Sequence, residues 1–289
     1  MLINHKKLIK YSDIILILSR LYNFLNFFKN SQIRILIYHH IEKRHYNVLN
    51  RQLRLLKKNW NFITPKQFED HLNGVKKLKG KNILFTFDDG FKSNLFVEKK
   101  ILNKFGIKAI FFVPSDFISI GSPVKAREFI KNNILDKDIP SDFKFLRNMH
   151  YKDLKYLIKR GHTIGAHSKT HANLSKIKQK KKLNDEIVNS AKILEKKLNF
   201  KINHFAFTYG NFESIGEESL KKALKKFDYI YSSLRGNNFK NFKKAIIKRD
   251  AIYINYTDKL TSIFLSGIVD IRYYFQLFKL NKFINKIIK

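Results

Sequence analysis

Two short runs in this 289-residue chain bring metal-binding and acid–base side chains together. The first is Thr86-Phe87-Asp88-Asp89-Gly90, where adjacent carboxylates follow the apolar run Ile83-Leu84-Phe85-Thr86-Phe87. That run reads as a buried strand, and Gly90 allows the sharp turn that ends it. Successive residues leaving a strand point in different directions, so one carboxylate can bind a cation while its neighbour faces a substrate. The same two acids would also serve as an ordinary turn or helix N-cap. The second run is His167-Ser168-Lys169-Thr170-His171. Two imidazoles four residues apart at a strand end can converge on one cation, with Ser168 or Thr170 hydrogen-bonding behind them. With ten histidines in the chain, such a pair also arises by chance. Taken together, one carboxylate and two imidazoles leave coordination positions open, as a catalytic metal requires. Such donors suit Zn²⁺, with Co²⁺ or Ni²⁺ as alternatives. There is no cysteine, which excludes a thiolate zinc site, a thiol nucleophile and a disulfide framework.

The elements that must position these residues alternate. Buried strands are expected at 33–39, 83–87, 109–113, 162–166, 205–207 and 229–232, with one or two more within 245–254. Helical periodicity is expected at 49–60, 66–77, from Gly90 to Phe105, and at 151–160, 178–198 and 215–226; Gly106 and Gly161 sit where helices end. Residues 115–150 lack a clear period and read as an excursion. Repeated strand–helix alternation predicts an α/β fold with a parallel sheet, and at this length a β/α barrel. In such barrels chemistry sits at the C-terminal ends of the strands, where both runs lie. No glycine-rich nucleotide fingerprint is present.

These residues resemble the polysaccharide deacetylases of the NodB-homology type, a family of metal-dependent carbohydrate esterases with an irregular (β/α)7 barrel. The TFDDG motif is intact. Gly161-His162-Thr163-Ile164-Gly165-Ala166-His167-Ser168-Lys169-Thr170-His171 is similar to the family's GHxIGxH[ST]xxH. Residues 106–113 resemble its GxxATFFV strand, and Ile35–His39 its opening strand. The resemblance covers roughly 33–270. It implies Asp88 as catalytic base, Asp89, His167 and His171 as metal ligands, and the Tyr209 backbone N–H as an oxyanion contact, with Phe207, Tyr209 and Arg249 binding substrate. Two features depart from the pattern. The RxPYG motif is reduced to Phe205-Ala206-Phe207-Thr208-Tyr209-Gly210, without its arginine; Arg249, in Lys248-Arg249-Asp250, would either match a later motif or replace that arginine in space. No histidine follows His204, so the family's Leu-x-His acid is missing; His39 is the best substitute, its other reading being a hydrogen-bonded core histidine. In its place 265–270 resembles the SGxxD ending of a subgroup tied to cell-surface glycans.

The implied reaction is removal of N-acetyl groups from amino sugars of a polysaccharide or a lipid-linked glycan precursor. The alternative is a catalytically weakened binder of glycan or membrane. Nucleic acid is not expected as a partner, although 58 Lys+Arg against 23 Asp+Glu give a net charge of +35, because no recognition motif accompanies the charge. Residues 1–30 read as an amphipathic helical segment: Arg20, Asn23 and Asn26 offset the apolar residues of Ile14–Phe28, and that stretch is shorter than the ~20 residues a span needs. Residues 31–270 form the expected catalytic domain and 271–289 a basic amphipathic helix, with Lys279, Lys282, Lys286 and Lys289 opposite Leu277, Leu280, Ile284 and Ile287. The expected location is cytoplasmic, with peripheral contact at the inner face of an anionic membrane.

Overall fold

Strands buried on both sides cannot alternate polar and apolar residues, and the central strands here are nearly continuous apolar runs for that reason. The computed structural model describes residues 14, 15, 17, 31–135, 142–240 and 246–288. The N-terminal segment expected over 1–30 therefore lies outside the described residues, apart from Ile14, Ile15 and Ile17. The strands are β1 (Gln32–Tyr38), β2 (Asn61–Phe62), β3 (Lys81–Phe87), β4 (Ala109–Val113), β5 (Thr163–Ala166), β6 (His204–Ala206), β7 (Tyr229–Tyr231), β8 (Ile246–Ile247) and β9 (Asp250–Ala251). All pair in parallel, in the order β8-β7-β6-β5-β4-β3-β1-β9. The short β2 was not foreseen; it pairs with Asn82 and Ile83, ahead of the stretch of β3 that β4 reaches.

The two ends of this order meet in one segment. Between β8 and β9 stand only Lys248 and Arg249, yet Ile246–Ile247 pair with β7 while Asp250–Ala251 pair with β1. The curled sheet closes there, giving the β/α barrel expected from the sequence. At the break the Asn238 side chain replaces the ladder, accepting from the Lys248 N–H at 2.9 Å and donating to its carbonyl at 2.8 Å.

Period-two alternation sorts the side chains. Ile33, Ile35, Leu84, Ile110, Phe112 and Tyr231 form an inner cluster. Leu36, Phe85 and Phe111 face outward and pack beneath the surrounding helices. The helix Pro65–Leu72 instead packs its Phe68 and Leu72 against the inner cluster, and starts at a capping box between Thr64 and Gln67. Arg34 also points outward from β1. Its guanidinium binds Asp250 of β9 at 2.6–2.7 Å and Asp270 at 2.5–3.0 Å, so the SGxxD aspartate ties the C-terminal turn to the closing seam. The helix Tyr274–Ile288 follows, and its Leu280 and Ile284 are buried in the outer core. No helix among the described residues is long and apolar enough to cross a membrane.

Candidate active site

The inner-face alternation of β3 runs Leu84, Thr86, Asp88, which carries the Asp88 carboxylate into the barrel mouth. Its N–H still bonds the Tyr38 carbonyl at 2.9 Å, one step beyond the strand. The chain then turns through Asp89 at φ +73° and Gly90 at φ +77°. The positive φ favours glycine at position 90, and a Cβ there would also crowd Val113 Cγ1 at 3.2 Å and displace Ile118 Cδ1. Beyond β5, His167 continues the inner face and bonds the Val113 carbonyl through its own N–H at 3.1 Å. Ser168, His171 and Tyr209 also have positive φ, at 60°, 62° and 60°. Among the described residues the other non-glycine case is Asn199, a helix C-cap. Backbone strain of this kind persists where surrounding contacts over-determine it, and it clusters at functional sites.

Asp89, His167 and His171 offer one donor atom each within 4.8 Å of one another, and all three are buried. Asp89 Oδ1 lies 3.5 Å from His167 Nε2 and 3.3 Å from His171 Nε2. Each imidazole is oriented by a main-chain carbonyl: His167 Nδ1 donates to Ala206 at 2.8 Å, and His171 Nδ1 to Asn133 at 2.7 Å. That tautomer leaves both Nε2 lone pairs aimed at the Asp89 oxygen. Burial works to raise the Asp89 carboxyl, but positive charge on the two imidazoles beside it, in their protonated form, outweighs this and holds it well below the usual carboxylate range. A carboxylate and two lone pairs converging in a buried place are what a divalent cation needs, and the donor set fits zinc.

Asp88 has a different partner. Arg249 Nη1 donates to Oδ1 at 2.7 Å and Nη2 to Oδ2 at 2.9 Å, a two-pronged pair with both residues buried. Burial again works against the charge, and Arg249 outweighs it, leaving the Asp88 carboxyl below its ordinary value. Arg249 is itself fixed by the Ser232 carbonyl at 3.0 Å and lies 5.1 Å from the Phe112 ring centre.

A cavity of about 660 Å³ opens over this group. His39, Asp88, Asp89, His167, His171, Phe207, Tyr209 and Arg249 all line it, so every site residue expected from the sequence meets here. His39 is exposed at the mouth rather than held in the core. Tyr209 is half exposed, its ring 5.4 Å from His171. The remaining motif histidine, His162, faces away: it accepts from the Ala109 N–H at 3.1 Å beneath the barrel wall.

Two contributors were missed. Glu186 is buried in a π turn, Asp185–Asn189, within the lysine-rich helical stretch. Its carboxylate accepts from the Lys169 and Thr170 N–H groups, both at 2.9 Å, and from the Thr170 hydroxyl at 2.7 Å, so it shapes the loop carrying both histidines. The available signal was the adjacent acids Asp185 and Glu186 in the middle of a lysine-rich helical stretch. The other is Asn133, in the π turn Ile130–Ile134 of the excursion, which acts through its carbonyl. A main-chain group leaves no mark in the sequence.

The fold has close structural relatives. A Streptococcus pyogenes deacetylase, PplD, solved in complex with acetate, is 19% identical and superimposes with a TM-score of 0.62, covering 80% of this chain and 97% of that one. IcaB from Ammonifex degensii is 19% identical, with a TM-score of 0.61 over 81% of this chain and 97% of its own. A de-N-acetylase from Aggregatibacter actinomycetemcomitans is 15% identical, with a TM-score of 0.63 over 81% of this chain and all of its own. At these identities the likeness is one of fold. No curated protein sequence matches the chain. The polysaccharide deacetylase family profile matches residues 75–231, just over half of the chain and both motif runs. This chain belongs to the polysaccharide deacetylase family.

Proposed function

We propose that the protein is a metal-dependent hydrolase that removes N-acetyl groups from amino sugars of a polysaccharide or glycan precursor. The observation that carries this reading is the two-pronged Arg249–Asp88 pair beside the convergent donors of Asp89, His167 and His171. The pair supplies in space the arginine that the degenerate motif lacks, which favours a working enzyme over a weakened binder.

A divalent ion held by Asp89, His167 and His171, zinc foremost, supplies Lewis acidity that polarises a carbonyl and makes water acidic near neutral pH. Asp88, kept ionised and fixed in plane by Arg249, takes the proton of the attacking water. The Tyr209 N–H meets the oxyanion as the acyl carbon becomes tetrahedral. His39, at the mouth, delivers a proton to the amide nitrogen, because an amine leaves only when protonated. The carbon–nitrogen bond breaks, and acetate and a free amino sugar result. Phe207, Tyr209 and Arg249 line the space that the sugar enters.

The test is acetate release from oligomers of N-acetylglucosamine before chelation, after it, and after zinc is returned. Turnover that is lost and then restored is expected. Turnover indifferent to chelation, or no acetate from any N-acetylated glycan with metal restored, would sink the reading.

A further inference from the structure

The C-terminal helix carries a second apolar face that the fold does not use. Leu280 and Ile284 fix its inner side in the core, at 1% and 6% exposure. At about 100° per residue, Tyr274, Phe275 and Phe278 gather on the opposite side, with Ile271 just ahead of the helix. They are 63%, 74%, 59% and 78% exposed. Four large apolar side chains this exposed on one stripe are unusual on a protein surface and mark an interaction site. Arg272, Lys279 and Lys282 are exposed alongside them, and residues 271–288 contain no acid. The apolar stripe expected from the sequence, with Leu280 and Ile284, is thus taken by the core, and a different stripe faces outward.

We infer that this outward face docks on an anionic phospholipid bilayer. Aromatic side chains favour the interfacial zone, and a cationic border with no acid complements anionic headgroups while repelling a second copy of this +35 chain. The placement has a consequence for the cavity. Tyr273 and Gln276, from the same turn of chain, line it, so a bilayer under Phe275 and Phe278 is separated from the cavity by about one helix diameter, ~10 Å. On the deacetylase reading, on which this step alone rests, the substrate class is a glycan still attached to a lipid.

The test is co-sedimentation of the full chain, without glycan, with phosphatidylcholine vesicles with and without phosphatidylglycerol, at low and high salt. Binding is expected only with the anionic lipid, weakening as salt shortens the reach of charge. Phe275→Ser/Phe278→Ser should weaken it about tenfold or more, and Lys279→Glu/Lys282→Glu should remove most of its salt dependence. Circular dichroism melts checked against wild type exclude misfolding, since none of the four side chains is buried. Equal binding to neutral vesicles, no binding, or double variants that bind like wild type would overturn the proposal. So would a concentration-dependent dimer, lost in the phenylalanine variant, without lipid binding. Because no turnover is read, failure here leaves the hydrolase reading standing, and the reverse also holds.

Discussion

Residues 249 and 250 are neighbours in the segment that closes the barrel, and each joins a buried guanidinium–carboxylate cluster on an opposite face. Inside, Arg249 grips Asp88 under an open cavity. Outside, Asp250 joins Asp270 around Arg34 and beneath Arg235, sealed below the C-terminal turn. The chemistry of the bonds is the same and the surroundings differ. In the outer cluster no reacting group is near, so its charges only hold elements together; burial alone would lower Arg34, and the two carboxylates outweigh it. In the inner cluster the arginine acts on a carboxylate that lines an open cavity. A buried ion pair is therefore read by what else can reach it, not by its geometry.

Three substitutions sharpen that contrast. Asp88→Asn keeps shape but cannot take a proton, and acetate release should fall by about 10³-fold, within the range typical of acid–base catalysis, while metal content stays near wild type. Arg34→Met leaves buried Asp250 and partly buried Asp270 with only the longer contacts to Arg235, at 3.4 and 3.8 Å, and should cost about 3 kcal/mol in urea unfolding, with turnover per folded molecule little changed. Arg249→Met leaves Asp88 able to rehydrate through the cavity. Its stability cost should be about 1–2 kcal/mol, and its turnover loss about 10²-fold. If Arg249→Met proves the more destabilising and Arg34→Met the more damaging to turnover, the assignment of roles is reversed.

The smallest effect lies outside both clusters. His162 is pushed down to about 3 by burial, with Lys108 and Arg160 adding to it. Its folded pKa is thus below the unfolded value near 6.5, so the unfolded chain binds the extra proton. Its contribution is fully present above pH 6.5 and is lost as pH falls toward 3, at up to about 1.4 kcal/mol per unit. His162→Gln should flatten the slope of stability against pH in that window by this amount. An unchanged slope would show that His162 is already charged in the folded protein.

The sequence carried most of the barrel, because buried parallel strands are unbroken apolar runs that end in recognisable turn residues. It carried Asp88, Asp89, His167 and His171 for the same reason: each sits at the end of such a run, with local spacing intact. Arg249 could be named as a candidate but not placed, since its partner is 161 positions away and only barrel closure joins them. Glu186 was hidden by its lysine-rich surroundings, and the carbonyls of Asn133 and Ala206 have no side-chain signature at all. The exposed apolar stripe of the last helix was not legible, because periodicity shows which residues share a side but not which side the core claims.

The central claim is that Asp89, His167 and His171 hold a metal beside an independent base, Asp88. Metal content and acetate release measured on the same preparations of wild type, Asp88→Asn and His167→Ala/His171→Ala test it most directly. The account predicts about one divalent ion per chain with turnover in wild type, the ion without turnover in Asp88→Asn, and neither in the folded histidine double variant. A double variant that keeps its ion, or an Asp88→Asn protein that loses ion and turnover together, would contradict it.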